Sequence, residues 1–273
     1  MTVEVFVLAS GSSGNSALIR SGGTTVLVDV GVSALQVAKR LAAFGCRPDE
    51  VDAIFLTHEH SDHIRGLEVF LRRHHAAPVW ATHGTWSRLP VRTRTGGELQ
   101  DGRDLPVGEL RVRPVATSHD AAEPVAYVFT DGRQQVALCT DTGHFTTLLG
   151  QRLAGSDLLL LETNHDADML RHGPYPWHLK QRIASRLGHL GNHQSEEALD
   201  RLRCDRLMGV VGLHLSAENN SPALALESLR RAVDGGVQAA VVPRTEMLRI
   251  TLGATATFEV LPVPGNGFGG AGL

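Results

Sequence analysis

Lysine is almost missing from this sequence: of 26 basic side chains only Lys39 and Lys180 are lysines. The arginine bias reads as compositional. With 29 acidic residues the formal net charge is −3, so no global positive field exists to capture nucleic acid, and any such contact is confined to a local patch. Cysteine is scarce as well. Cys46, Cys139 and Cys204 are odd in number, far apart and form no C-x-x-C pair, which excludes a disulfide framework and makes a reduced, cytoplasmic protein the expectation. No apolar run reaches the ~18 residues of a membrane span. The N-terminus lacks a basic stretch and reads as a strand, not a signal peptide. Hydrophobic residues at 42% and charged residues at 20% exclude a disordered chain, a coiled coil and a collagen-like repeat. Nothing in the sequence fixes an oligomeric state.

What is plentiful is histidine, 14 in 273 residues, more than packing requires. The histidines sit within a strand-rich pattern. Val3 to Leu8, Ala17 to Arg20, Thr24 to Asp29 and Val51 to Leu56 read as strands, with a helix capped by Ser33 and ended by Gly45 before the fourth. A helix is expected from Asp62 to His75. Strands follow at Val79 to Ala81, Leu110 to Ala116, Val125 to Thr130, Val136 to Thr140 and Leu158 to Leu161. Helices are expected at Phe145 to Leu153, Trp177 to Leu190, Ser195 to Leu202 and Ala223 to Val233. The remaining strands are Leu207 to Val211, Val237 to Val242, Arg249 to Leu252 and Phe258 to Leu261. Strands outnumber helices, and strand pairs lie close in sequence. This predicts an α/β protein of four layers, two mixed sheets face to face with helices outside. One domain over residues 1–262 is expected, followed by a Gly/Pro-rich flexible tail, 263–273.

The segment Thr57-His58-Glu59-His60-Ser61-Asp62-His63 carries the strongest chemical signal. It places His58, His60, Asp62 and His63 in one loop between an apolar strand and a helix. Imidazole suits zinc, iron and copper, and carboxylate adds affinity for harder ions such as manganese. Four ligands on six residues cannot wrap one ion. They can serve two adjacent ions, His58 and His60 facing one, Asp62 and His63 the other, an arrangement suited to hydrolysis.

The pattern His58-x-His60-x-Asp62-His63 resembles the central motif of the metallo-β-lactamase superfamily, and the likeness extends over about residues 3–261. It implies an αββα sandwich. Asp29, ending an apolar strand, matches the aspartate that orients ligands from behind. His119, Asp141 and His214 match the remaining ligands. The resemblance then implies that His58, His60 and His119 hold one ion, Asp62, His63 and His214 a second, and Asp141 both. Position 60 is His where the iron-type oxygen-reducing branch has Glu, and no ligand position is Cys. Only 73 positions separate Asp141 from His214, so the β-CASP cap domain of the larger RNA-processing relatives is not expected.

Sequence outside the ligands resembles the bacterial YycJ/WalJ exonuclease group: Ala9-Ser-Gly-Ser-Ser-Gly-Asn15, Ser118-His-Asp-Ala121, Glu162-Thr-Asn-His-Asp166, Gly173-Pro-Tyr-Pro-Trp177, Gly188-His-Leu-Gly-Asn192 and His214-Leu-Ser-x-x-Asn-Asn220. That likeness implies a metal-dependent 5′-to-3′ exonuclease on double-stranded DNA, using a hydroxide bridging two divalent ions. Zinc and manganese both suit five histidines and two aspartates. Asp62 would accept a proton from the attacking water. Residues 169 to 195 contain no acid. On a helix, His178, Arg182, Arg186 and His189 would line up beside an apolar stripe of Leu179, Ile183, Leu187 and Leu190, a local basic patch able to track phosphates. Ser12, Ser13 and Asn15 in the small-residue loop are further candidate phosphate contacts. His165, ending an apolar strand, is the candidate for the phosphate or the leaving oxygen, with His189 as its substitute and Asp166 or Glu162 to orient it. Two readings compete. One is another hydrolase on the same scaffold, acting on a small phosphodiester, thioester or lactone. The other is a metal-containing DNA-binding regulator without turnover.

Overall fold

The computed structural model describes residues 2–74, 77–90 and 95–265 of the chain. Its strands are β1 (Val3–Ala9), β2 (Ser16–Ser21), β3 (Thr24–Val28), β4 (Ala53–Phe55), β5 (Val79–Thr82), β6 (Gly96–Leu99), β7 (Leu105–Val107), β8 (Leu110–Ala116), β9 (Val125–Thr130), β10 (Gln135–Cys139), β11 (Leu158–Glu162), β12 (Gly209–Leu213), β13 (Gln238–Val241), β14 (Glu246–Leu252) and β15 (Ala256–Pro262). One sheet has the order β15-β14-β1-β2-β3-β4-β5-β6 and the other β13-β12-β11-β10-β9-β8-β7. Both mix parallel and antiparallel pairs, as the sequence pattern predicts.

The period of two along a strand builds the layers. Val5 and Val7 of β1 join Val28, Phe55, Tyr127, Leu138, Leu160 and Val211 in the core between the sheets. Phe6 and Leu8 face the other way, into a second core with Val37, Leu41 and Phe70. The outer face of the second sheet packs Leu149, Leu153, Leu199 and Leu229. Because both faces of each sheet are covered, the central strands read as unbroken apolar runs, not as alternation.

The helices are α1 (Ala34–Ala43), α2 (Ser61–Ile64), α3 (Leu67–Arg73), α4 (His83–Arg88), α5 (Thr147–Leu153), α6 (Ala167–His172), α7 (Trp177–Ile183), α8 (Asn192–Leu202) and α9 (Pro222–Ala232). Ser33 caps α1, its hydroxyl accepting from Gln36 N at 3.4 Å, and Gly45 ends the turn with φ +66°. Two expected helices are corrected. The helix from Asp62 to His75 is broken into α2 and α3, because Gly66 N donates to Val30 O at 2.8 Å and ties the chain to the sheet rim. His75 lies outside the described residues. The helix from Trp177 to Leu190 stops at Ile183. Residues 184–190 leave the helix, so His178 and Arg182 sit on α7 while Arg186 and His189 do not. The apolar stripe dissolves with it: Leu187 is 54% exposed and Leu190 is 1% exposed. The short elements β6, β7, α4 and α6 were not legible in the pattern.

Between Asp141 and His214 the chain forms α5, β11, α6, α7, α8 and β12, and both strands belong to the second sheet. No cap domain is inserted. Val263 N still bonds Thr245 O at 3.1 Å; most of the expected tail, 266–273, lies outside the described residues. Among the described residues no helix is long and apolar enough to cross a membrane.

Candidate metal centre

The proposed ligands all follow strand ends at one rim of the sandwich. Asp29 follows β3 and the loop 57–63 follows β4 in the first sheet; His119 follows β8, Asp141 follows β10 and His214 follows β12 in the second. Three of these residues, Asp29, Asp141 and His214, hold φ of 58°, 54° and 57°. That left-handed conformation costs a non-glycine residue roughly 1–3 kcal/mol and clusters at functional sites.

Hydrogen bonds hold His58, His63, His119 and His214 by Nδ1 and leave Nε2 to face other groups of the centre. Asp29 accepts from Thr57 N at 2.8 Å and from Thr57 Oγ1 at 2.9 Å, and its Oδ2 lies 2.8 Å from His63 Nδ1. His63 Nε2 then stands 3.1 Å from Asp141 Oδ2. His58 Nδ1 is 3.0 Å from Thr57 Oγ1. His119 Nδ1 donates to Gly188 O at 2.9 Å, and its Nε2 is 3.3 Å from His60 Nδ1. His214 Nδ1 lies 3.1 Å from both Asp141 Oδ1 and Glu162 Oε1. This is how metal-binding histidines are oriented, with carboxylates and carbonyls behind them.

Donor atoms gather in sets, each within 4.8 Å: His58, His60 and His119; Asp62, His63 and His214; His58, His63 and Asp141; and Asp141, Glu162, His189 and His214. The fit to cations rests on two buried atoms. His58 Nε2 and His214 Nε2 have no hydrogen-bond partner, although their residues are 1% and 2% exposed. An orphaned buried nitrogen is costly unless something occupies it.

The electrostatics agree. Burial drives His58 and His119 below the ordinary imidazole value, making both neutral donors. Burial also lowers His63, but Asp141 and Asp29 outweigh it and raise it to about 10. His214 is held well above its usual value against burial by Asp141, Asp62 and Glu162. Burial works against the charged carboxylates, yet His214 and His63 hold Asp141 well below the usual range, and His189 and His214 bring Glu162 down to about 2. Asp141 and Glu162 thus demand positive charge. Without a cation, protons on His63 and His214 supply it. Divalent ions can supply it instead, and the site fits them.

The other sequence candidates are placed as follows. Asn15 lies inside the network: its Nδ2 donates to Asp62 Oδ2 at 3.3 Å and stands 3.1 Å from His63 Nε2, while its Oδ1 accepts from Gly11 N at 2.9 Å. Ser12 and Ser13 are exposed on the adjoining loop. Arg182 Nε donates to Asp120 Oδ2 at 2.6 Å, and Asp120 Oδ1 is 3.4 Å from His119 Nε2. His165 is 5% exposed, pairs with Gly191 as a bridge, and leaves its Nδ1 unpartnered. Burial pushes it down to about 4. It joins none of the four donor sets.

The sequence marks Glu162 only as a support for His165, and the structure gives it a larger place. Its Oε1 is 2.7 Å from His189 Nδ1 and 3.1 Å from His214 Nδ1, and its Oε2 accepts from Thr142 N and Leu190 N. The available signal was a carboxylate ending the run Leu158-Leu-Leu-Leu-Glu162, at the same rim as the ligands.

Residues 24–210 match the family described as the β-lactamase superfamily domain. The chain is 37% identical over 226 residues to the exodeoxyribonuclease WalJ of Streptococcus pneumoniae serotype 2, covering 80% of this chain and 84% of that one. It is 34% identical over 239 residues to the exodeoxyribonuclease YycJ of Bacillus anthracis, covering 86% and 90%. The metallo-β-lactamase fold protein YhfI of Bacillus subtilis superposes with a TM-score of 0.72 at 18% identity, over 91% of this chain and all of that one. A family match across residues 24–210, together with the identity to WalJ and YycJ over most of the chain, makes this chain a member of the metallo-β-lactamase superfamily, with its hydrolase fold.

Proposed function

We propose that the chain is a cytoplasmic 5′-to-3′ exonuclease that hydrolyses phosphodiester bonds of double-stranded DNA with two divalent ions, zinc or manganese. The observation that carries the reading is the buried, unpartnered His58 Nε2 in a donor set with His63 and Asp141, beside a second set of Asp62, His63 and His214 at the same rim. The exodeoxyribonuclease names of the relatives supply the substrate class.

His58, His60 and His119 would hold one ion, Asp62, His63 and His214 the other, and Asp141 both. When bound, such ions bring the pKa of water toward ~7 and offset charge growing on phosphate oxygens. Asp62 has 19% side-chain exposure, the most open of the carboxylates at the centre. Burial alone would raise it, but His214 and His63 hold it below the usual range. It is therefore charged and able to accept a proton from the attacking water. Asn15 Nδ2 contacts both Asp62 Oδ2 and His63 Nε2 and keeps the two side chains in register.

His189 is the stronger candidate to protonate the leaving oxygen. Burial lowers it, yet Glu162 raises it above the ordinary value, which favours the proton-carrying form at neutral pH. The 2.7 Å contact to Glu162 secures Nδ1 and leaves Nε2 for the substrate. His165, buried and driven down to about 4, fits a positioning role beneath the Gly191 turn. Ser12, Ser13 and Arg182 are the proposed contacts to flanking phosphates.

Duplex DNA labelled at the 5′ or the 3′ end, assayed beside a chromogenic phosphodiester, tests this reading. Labelled mononucleotide released first from the 5′ label supports it. Hydrolysis of the small ester with an intact duplex overturns it.

A further inference from the structure

Two arginines outside every candidate set are pinned to the same short loop. Arg244, in the turn between β13 and β14, donates from Nη2 to Ser12 Oγ at 2.7 Å. Arg65, just after α2, donates from Nη1 to Ser13 O at 2.9 Å. The loop between them leads straight into Asn15, which contacts Asp62 and His63. A chain that must fold this tightly needs glycine: Gly11 and Gly14 have φ of 116° and 151°, and a Cβ at Gly14 would come 2.7 Å from Gly31 O. The loop is therefore closely packed against the chain at Gly31 and held by both arginines.

Both guanidiniums are on exposed residues. Neither forms an ion pair among the described residues, in contrast to Arg182, whose charge is shared with Asp120 at 2.6 Å. A guanidinium carries five N–H donors. One from each arginine goes to the loop, so the remaining donors and both full charges stand free at the rim of the metal centre. Paired guanidiniums with unspent donors match the oxygens of a phosphate.

We infer that Arg65 and Arg244 form a phosphate clamp. On the nuclease reading, on which this inference rests, the clamp takes the backbone phosphates of the bound strand next to the one being cut. The clamp deepens that reading by moving the main positive contact away from the 169–195 segment. There the expected helical stripe does not form, and Arg182 is already neutralised.

The test is the salt dependence of binding a duplex with phosphorothioate linkages, which resists cleavage, by fluorescence anisotropy on the protein as purified. Each phosphate contact contributes ~0.9 to the slope of log K against log salt. Arg65→Ala with Arg244→Ala should lower the slope by about two and weaken binding at least about tenfold at physiological salt. Arg65→Lys with Arg244→Lys should restore most of the slope while binding less tightly. Arg230→Ala, an exposed arginine in the last turn of α9, is the control and should leave the slope unchanged. A wild-type slope that persists in the double alanine variant overturns the clamp while sparing the nuclease reading. A wild-type protein that binds no duplex overturns both.

Discussion

Asp29 Oδ2 lies 2.8 Å from His63 Nδ1, and the same carboxylate accepts both Thr57 N and Thr57 Oγ1. One buried side chain just after β3 thereby sets the tautomer of a candidate ligand and the start of the loop that carries four of them. Asp29→Asn keeps the size but loses an acceptor and a charge. Metal affinity should fall by about 10- to 100-fold, measured by competition against a chromophoric chelator, with the circular dichroism spectrum unchanged. Wild-type affinity in this variant would remove Asp29 from the metal centre.

Removing a ligand outright should do more. His63→Ala and Asp141→Ala should retain less than a full complement of metal by elemental analysis and lose metal-dependent DNA cleavage. Retained cleavage in a clean preparation of either variant would rule out the proposed ligand set.

Metal binding should release protons. His63 is raised to about 10 and His214 well above its usual value, so the metal-free site carries both protons at neutral pH, whereas His58 and His119 are already neutral. Loading should therefore release about two protons at pH 7, read from binding enthalpies in buffers of different ionisation heat. Affinity should climb with pH through the neutral range. A proton count near zero would contradict this charge balance. For the metal-free fold the sign is the reverse. Stability contributed by the two raised histidines is complete below their unfolded value near 6.5 and is lost as pH rises through the folded one.

Glu162→Gln should move a pH profile. Burial lowers His189 and the Glu162 carboxylate raises it, so neutralising Glu162 lets the imidazole fall. The alkaline limb of the cleavage profile should then shift to lower pH, with a smaller change in KM than in kcat. An unshifted limb would separate His189 from proton donation.

Gly188→Ala tests the loop after α7. A Cβ there would overlap the carbonyls of Arg182 and Ile183, and relief would drag Gly188 O from His119 Nδ1. A loss of about 1–3 kcal/mol is expected, visible as a lower Tm together with weaker metal binding. Full stability with normal metal content would show that the turn has slack.

These residues also show what a sequence can and cannot reveal. His58, His60, Asp62 and His63 stand out because they lie within six positions, where spacing alone limits geometry. The four layers followed from apolar runs close together along the chain. Glu162 and His189 are 27 positions apart, and their contact depends on β11 lying in the second sheet while the 184–190 segment folds back to it. The expected helix from Trp177 to Leu190 had good periodicity. Periodicity lost to tertiary demand, since only a broken helix delivers the Gly188 carbonyl to His119 and His189 to Glu162. The paired arginines were hidden for the same reason: Arg65 and Arg244 are remote in sequence, and only the turn after β13 brings them to one loop.

The left-handed conformations of Asp29, Asp141 and His214 set a limit on how this protein can be altered. At most such positions glycine is the comfortable replacement, and substitution toward it stabilises. Here it would relax the backbone and at once erase a ligand (Asp141, His214) or the carboxylate that orients one (Asp29), so thermal hardiness and metal retention pull in opposite directions at all three sites. Selection for stability alone should dismantle the rim, while selection for turnover should keep a strained rim on a fold that must be robust elsewhere.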